Sequence, residues 1–240
     1  MDLSGNLEDS FEYSKRMVSD IGRWIALAIL GVVPILNFVV LGYASRIISK
    51  TPESNEPPKL EGYADLWFSG LKILAACAIY MIIPIAIFAA GALASLGGLR
   101  HLGRLIFGLG RPDWAAWPMI GLAGISLLIG LIAAFLIAIL AAMGIAHMIR
   151  TGKFAKAFAF DEIIRIIGRV GWGNYIIWLI AIFAISLIFS AIGGIPWVGW
   201  LMNLILMPPF MAFVSRSIGL VYASGAPRGG EGHQEIIHSI

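Results

Sequence analysis

Asn37 and Asn203 have the best claim to chemistry, because each follows a proline, Pro34 or Pro196, inside an apolar stretch. Proline removes a backbone donor and interrupts a helix, so unpaired carbonyl and amide groups are expected beside both amides. Transporters expose such groups to substrates where helices are broken near the membrane midplane. The plainer reading is that each amide satisfies local carbonyls or bonds a neighbouring helix. The other reactive side chains do not assemble. His101, His147, His233 and His238 are scattered, Cys77 is the one cysteine, and no HExxH, paired-cysteine, P-loop or Rossmann spacing occurs. His147 beside Arg150 reads as an interfacial histidine.

Ionisable groups at depth in a bilayer are costly and usually functional. The centres of the four long apolar runs contain none, which weighs against ion-coupled transport and against an intramembrane acid–base enzyme. No catalytic residue, cofactor or metal site is expected. Arg46, Arg150, Lys153, Lys156, Arg165, Arg169 and Arg216 stand near the ends of apolar runs, where long side chains reach lipid headgroups. Orientation signalling alone would also account for them.

The elements that position these residues follow from composition. The chain is 59% hydrophobic and 13% charged, with a mean hydropathy of +0.88. A soluble domain carries about a quarter charged residues, so this is a membrane protein. The first twenty residues are acidic with no apolar core, unlike a cleavable signal peptide, and the first membrane segment is expected to direct insertion itself.

Residues 1–21 and 153–170 each predict an amphipathic interfacial helix. In the first, Leu7, Phe11, Val18 and Ile21 make the apolar stripe, with Ser14 as N-cap. In the second, Phe160, Ile163, Ile164 and Ile167 make it, with Asp161 as cap. Each is followed by Gly-Arg and an apolar run broken at proline, and the runs close on Tyr43-Ala44-Ser45-Arg46 and Phe213-Val214-Ser215-Arg216. This is a degenerate internal repeat. Spans are expected over 69–96, 118–149, 174–192 and 197–222, the last kinked or broken at Pro208-Pro209. Residues 97–117 predict a short surface helix, then the anchors Trp114 and Trp117.

Gly22 to Lys50 is long enough for one tilted span, or for two arms of about 18 to 21 Å folded back at Pro34. Charge decides. The folded-back form leaves only Arg100, Arg104 and Arg111 of the 17 basic residues on the far face, whereas a single span moves Lys15, Arg16 and Arg23 to join them. The positive-inside bias selects the re-entrant hairpin, with both termini cytoplasmic.

Phe11-Glu12-Tyr13-Ser14, the run Pro34-Ile35-Leu36-Asn37-Phe38, Gly70-Leu71-Lys72 and the late Arg216-Ser217-Ile218-Gly219-Leu220-Val221-Tyr222 resemble the uncharacterised, largely archaeal membrane proteins grouped as domain of unknown function 4013. The resemblance covers nearly the whole chain and implies a multi-pass archaeal membrane protein; it brings no activity or site residues.

The expected fold is an all-α membrane protein in one polytopic domain, 1–222. The first repeat with its hairpin occupies 1–50, a central transmembrane hairpin 69–149 and the second repeat 153–222, before a flexible cytoplasmic tail, 223–240. The expected role is a non-enzymatic scaffold or accessory component binding lipid, a protein partner or a second copy of the chain, and not nucleic acid. The alternative is a channel or facilitator for a small neutral solute, with Asn37 and Asn203 at its narrow point.

Overall fold

The computed structural model describes the backbone of residues 2–106 and 116–226, and the side chains of residues 2–93, 121, 122 and 124–226. The side chains of Arg100, His101, Arg104, Arg111, Trp114, Trp117, His233 and His238, used above, lie outside the described residues, as does the expected tail beyond residue 226.

Among the described residues the regular elements are all helices: α1 Leu3–Ser19, α2 Ile21–Val32, α3 Asn37–Lys50, α4 Tyr63–Ile106, α5 Ala116–Thr151, a 3-10 turn Phe154–Phe158, α6 Phe160–Val170, α7 Trp172–Gly193 and α8 Gly199–Gly225. Four segments among the described residues are long and apolar enough to cross a membrane, Tyr63–Leu93, Gly124–Thr151, Trp172–Gly193 and Gly199–Gly225. Contacts divide the chain into two compact units, one of Met1–Ala76 with Leu140–Ile240 and one of Cys77–Ile139.

In the first unit α8 is the central element and packs against α1, α2, α3, α6 and α7. Small residues permit the approach. A Cβ on Gly225 would sit 2.4 Å from the Ile166 carbonyl oxygen, and one on Gly219 would sit 2.6 Å from the Thr51 side chain. The apolar core gathers Tyr13, Met17, Leu27, Val40, Tyr43, Ile47 and Leu66 around Ala212.

Both surface helices begin elsewhere than their expected caps. Asp2 caps α1 by accepting from the amides of Ser4 and Gly5, which satisfies two of the four donors a helix start leaves unpaired. Ser14 therefore lies inside the helix, its hydroxyl donating to the Phe11 carbonyl at 2.7 Å. The expected apolar stripe of α1 is not its buried face. Phe11 and Ile21 are exposed, while Asn6, Ser10, Tyr13, Ser14 and Met17 are buried, because α1 docks largely through hydrogen bonds. In α6 the helix starts at Phe160 with no side-chain cap, and Asp161 falls in its first turn, where a carboxylate suits the helix dipole. Ile163 and Ile167 are buried as expected, joined by Ile166 and Val170, and Phe160 and Ile164 face outward.

The run after α1 breaks at Pro34 into α2 and α3, of 12 and 14 residues, about 18 and 21 Å long at 1.5 Å per residue. Their open ends meet the same connector. Arg23 at the start of α2 donates to the Pro57 carbonyl at 3.0 Å, and Tyr43 in α3 donates to the Pro58 carbonyl at 2.6 Å. α3 crosses α4 through two glycines, where a Cβ on Gly42 would lie 1.8 Å from the Leu66 carbonyl oxygen and one on Gly70 1.9 Å from that of Phe38.

Pro208-Pro209 does not end α8, which runs through both residues. Proline at 209 has no N–H for the carbonyl four residues earlier, and the Trp24 indole donates to that Ile205 carbonyl at 2.7 Å. A second indole does the same work at the other break, Trp67 donating to the Ile35 carbonyl at 3.0 Å.

In the second unit Phe88 lies against Gly130, where a Cβ would stand 2.7 Å from its ring. The backbone of α4 stays helical to Ile106, so residues 97–106 continue that helix rather than forming a separate surface one.

Candidate functional site

Polar side chains of the first unit gather where α1, the connector 51–62 and the ends of α3, α5, α6 and α8 meet. Arg216 of α8 is the most deeply placed charge, its side chain 2% exposed. Its Nε donates to Asp9 Oδ1 at 2.6 Å and its Nη2 to Asp9 Oδ2 at 3.3 Å and Asn55 Oδ1 at 2.8 Å; Nη1 donates to the Ser54 carbonyl at 2.7 Å. The guanidinium carbon also lies 5.0 Å from the centre of the Tyr13 ring. Burial pushes the Tyr13 hydroxyl up to about 12 against the opposing pull of Arg216 and Arg23, so it stays protonated. Beside this pair the Ser217 hydroxyl donates to Asn6 Oδ1 at 2.5 Å and accepts from the Trp178 indole at 2.8 Å. A bidentate, charge-assisted pair and a three-residue chain thus fix α1 to α8. Arg216 was expected at lipid headgroups; instead its donors are taken up inside the protein.

A second tether holds α6. His147 Nδ1 lies 2.8 Å from the Tyr222 hydroxyl, and His147 Nε2 2.7 Å from Glu162 Oε2. Glu162 Oε1 accepts from Lys156. Lys156 and then His147, through these hydrogen bonds, hold the Glu162 carboxyl below its usual range. The histidine is buried between an acid and a phenol, which locks α5, α6 and α8 together. A third tether joins α5 to α3. Arg150 donates to the Ser49 and Thr51 carbonyls at 2.5 and 2.9 Å, groups that the end of α3 leaves unpaired. It also clasps Glu53 at 3.0 and 3.2 Å, and that bond lowers the Glu53 carboxyl pKa.

Between α3, the first turns of α4 and the last turns of α5 lies a polar cleft of about 230 Å³. Two stripes at helical spacing face it: Gly42, Ser45, Arg46 and Ser49 from α3, and Asp65, Ser69 and Lys72 from α4. Met148, Ile149 and Phe154 close the apolar side. The cleft's polar lining is three serines, one carboxylate and two cations, a mixed set of hydrogen-bond donors and acceptors. Among the described residues no group of three or more histidine, cysteine or acidic side chains could hold a metal ion.

The remaining expected site residues are placed as follows. Pro34 and Pro196 are exposed at their turns, and Asn37 and Asn203 are half-buried. Asn37 starts α3, its backbone amide donating to the Val33 carbonyl at 2.9 Å. The Asn203 side-chain amide covers Gly193, where a Cβ would meet its Nδ2 at 2.1 Å, and its Oδ1 is buried with no hydrogen-bond partner. The two amides share no partner, and neither lines the polar cleft. Lys153, Arg165 and Arg169 are exposed. Arg46 is half-buried, with Nη1 donating to the Glu61 and Lys59 carbonyls at 2.7 and 3.2 Å.

The Asp9–Arg216 pair was not legible as a site because its partners lie 207 residues apart, and the His147–Glu162 pair because its partners sit on different helices, α5 and α6. The cleft had a signal. Positions 42, 45, 46 and 49, and again 65, 69 and 72, are spaced as one face of a helix.

An all-helical chain with four membrane-length apolar helices and its polar groups tethered among themselves is an integral membrane protein. Its family is equally plain. Residues 26–198 match the model described as Protein of unknown function (DUF4013), and the chain belongs to that family. No curated protein and no solved structure matches it.

Proposed function

We propose that the protein is a non-enzymatic membrane scaffold or accessory component whose charged end binds lipid or a membrane partner. The carrying observation is the tethering of that end. Three cation- or histidine-centred clusters, at Arg216, Arg150 and His147, fix α1, the connector and α6 to the apolar helices. That builds a rigid polar platform, from which Arg165 and Arg169 of α6 project outward. Cations exposed at such a surface attract anionic headgroups. In this reading α2 and α3 form a re-entrant hairpin, since neither reaches across about 30 Å of hydrocarbon and their open ends share one connector. Surface helix followed by hairpin then occurs twice, as α1–α3 and α6–α8, with the platform cytoplasmic.

Capture from native membranes tests the scaffold, and a recurrent protein or anionic lipid lost on Arg165→Glu with Arg169→Glu is the expected result. Recovery of neither, together with solute flux in liposomes, overturns it. Impermeant labelling tests the orientation: Lys15 and Lys59 are expected to react from the same compartment.

The unpartnered Oδ1 of Asn203 favours the second reading, a facilitator for a small neutral solute. That reading requires Asn37→Leu with Asn203→Leu to abolish liposome flux.

A further inference from the structure

We propose that the polar cleft between α3, α4 and α5 binds a phosphate ester carrying a hydroxylated group, such as a glycerol phosphate. It deepens the scaffold reading, from whose partner-capture and labelling tests it can be separated.

The donors come first. Lys72 is exposed on the rim and has no ion-pair partner among the described residues. Arg46 spends Nη1 on the connector carbonyls, which leaves Nε and Nη2 without a described partner. The Ser69 hydroxyl is likewise uncommitted. Two cations and a hydroxyl converging on one cleft are the donor set an anionic phosphate oxygen requires.

The acceptors then narrow the ligand. Ser45 and Ser49 already donate their hydroxyl protons to the Gly42 and Arg46 carbonyls at 2.7 and 2.9 Å, so toward the cleft they offer lone pairs. Asp65, on the same wall, adds a carboxylate that only accepts. A bare phosphate would leave these acceptors unpaired and bring like charge against Asp65. A phosphate ester with free hydroxyl groups satisfies both sets at once. The volume, about 230 Å³, falls below the roughly 300–1,000 Å³ of drug-sized sites, which suits a small headgroup.

The chemistry is shared by a free polyol phosphate and by a lipid headgroup, and the test separates them. The full-length protein is placed in phosphatidylcholine nanodiscs and titrated calorimetrically with glycerol phosphate, inorganic phosphate and glycerol. In parallel, nanodiscs doped with phosphatidylglycerol or phosphatidic acid are read by native mass spectrometry for retained lipid. Binding of glycerol phosphate assigns a free ligand, and retention of phosphatidylglycerol alone assigns a headgroup. Either is expected to weaken about tenfold in Lys72→Gln, the loss of one charge-assisted contact. Asp65→Asn is expected to erase the preference over inorganic phosphate or phosphatidic acid. Lys72 has no ion-pair partner among the described residues, so that variant keeps the test valid if Arg46→Gln disturbs the connector. Equal binding of hydroxylated and bare phosphates by the wild type overturns the proposal. So does unchanged binding in Lys72→Gln, or the absence of binding by every probe.

Discussion

The two proline-broken hairpins close on matching words, Tyr43-Ala44-Ser45-Arg46 and Phe213-Val214-Ser215-Arg216, and their arginines do different work. Arg216 is buried, with every nitrogen of its guanidinium bonded inside the protein. Arg46 is half-buried at the mouth of a cleft with one nitrogen engaged. The cause is what each hairpin meets. In the second, α8 is the central element of the unit, and α1 lies across its Arg216 end. The first lies to one side, so its arginine keeps solvent and free donors. Similar words near the ends of α3 and α8 thus place an arginine alike, and the neighbours decide whether it is bonded throughout inside the protein or keeps free donors.

The sharpest way to break that comparison is to remove each arginine. Arg216→Met leaves Asp9, Asn55 and the Ser54 carbonyl without their donor. Breaking a buried pair costs about 3 kcal/mol at the lower end of its range, which is appropriate because Asp9 remains 42% exposed. Arg46→Met should cost under about 1 kcal/mol, as for surface pairs. Chemical unfolding in detergent measures both. Trypsin cleavage at Lys15 and Arg16 should accelerate in Arg216→Met alone, since α1 is freed. Equal losses in the two variants would end the distinction.

Backbone contact divides the hairpins in the same way. Gly42→Ala drives a Cβ to 1.8 Å from the Leu66 carbonyl oxygen, whereas Gly219→Ala stops 2.6 Å from the Thr51 Cβ, a shallower overlap. Overpacking of the first kind costs about 1–3 kcal/mol. Gly219→Ala is expected to cost less, and a pair of melting curves decides the order.

How much of this was legible in the sequence depends on range. The apolar helices, the break at Pro34 and the Gly193–Pro196 turn follow from local hydropathy and proline chemistry, and they stand where expected. The polar face of α1 was misread because its partners, Ser217 and Arg216, are some two hundred residues away, and periodicity then selects the most apolar stripe rather than the docked one. Pro208-Pro209 was read as a kink or a break, and it is no break; the sequence does not show that Trp24 reaches the carbonyl proline frees. Asp161 was read as a cap by analogy with Ser14, and both fell inside their helices.

The indoles give the next smaller effect. Trp24→Phe and Trp67→Phe keep the ring and delete the donor to Ile205 and Ile35. Each leaves a carbonyl near a proline unpaired, for about 1–2 kcal/mol. A loss in Trp24→Phe that disappears when Pro209→Ala restores the backbone donor would show that the indole substitutes for that missing N–H.

The smallest effect concerns the tethers of the two surface helices, since α1 is held by an arginine and α6 by a carboxylate shared between histidine and lysine. Lys156 and His147 depress the Glu162 pKa below its ordinary 4.5. The folded state therefore favours the carboxylate, and its contribution is fully present above that ordinary value. As the pH falls through the lower, folded value the carboxylate is protonated and the contribution disappears. Glu162→Gln should lower stability by less than about 1 kcal/mol near neutrality, as expected for a pair still partly open to solvent. The gap from wild type should close below about pH 4.5. Glu53, depressed by Arg150 but more exposed, should show the same sign with a smaller amplitude in Glu53→Gln. Thermal melts from pH 7 downward measure both gaps. A Glu162→Gln gap that stayed constant into acid would mean that α6 is held by its buried isoleucines alone and that the histidine cluster contributes nothing to the platform.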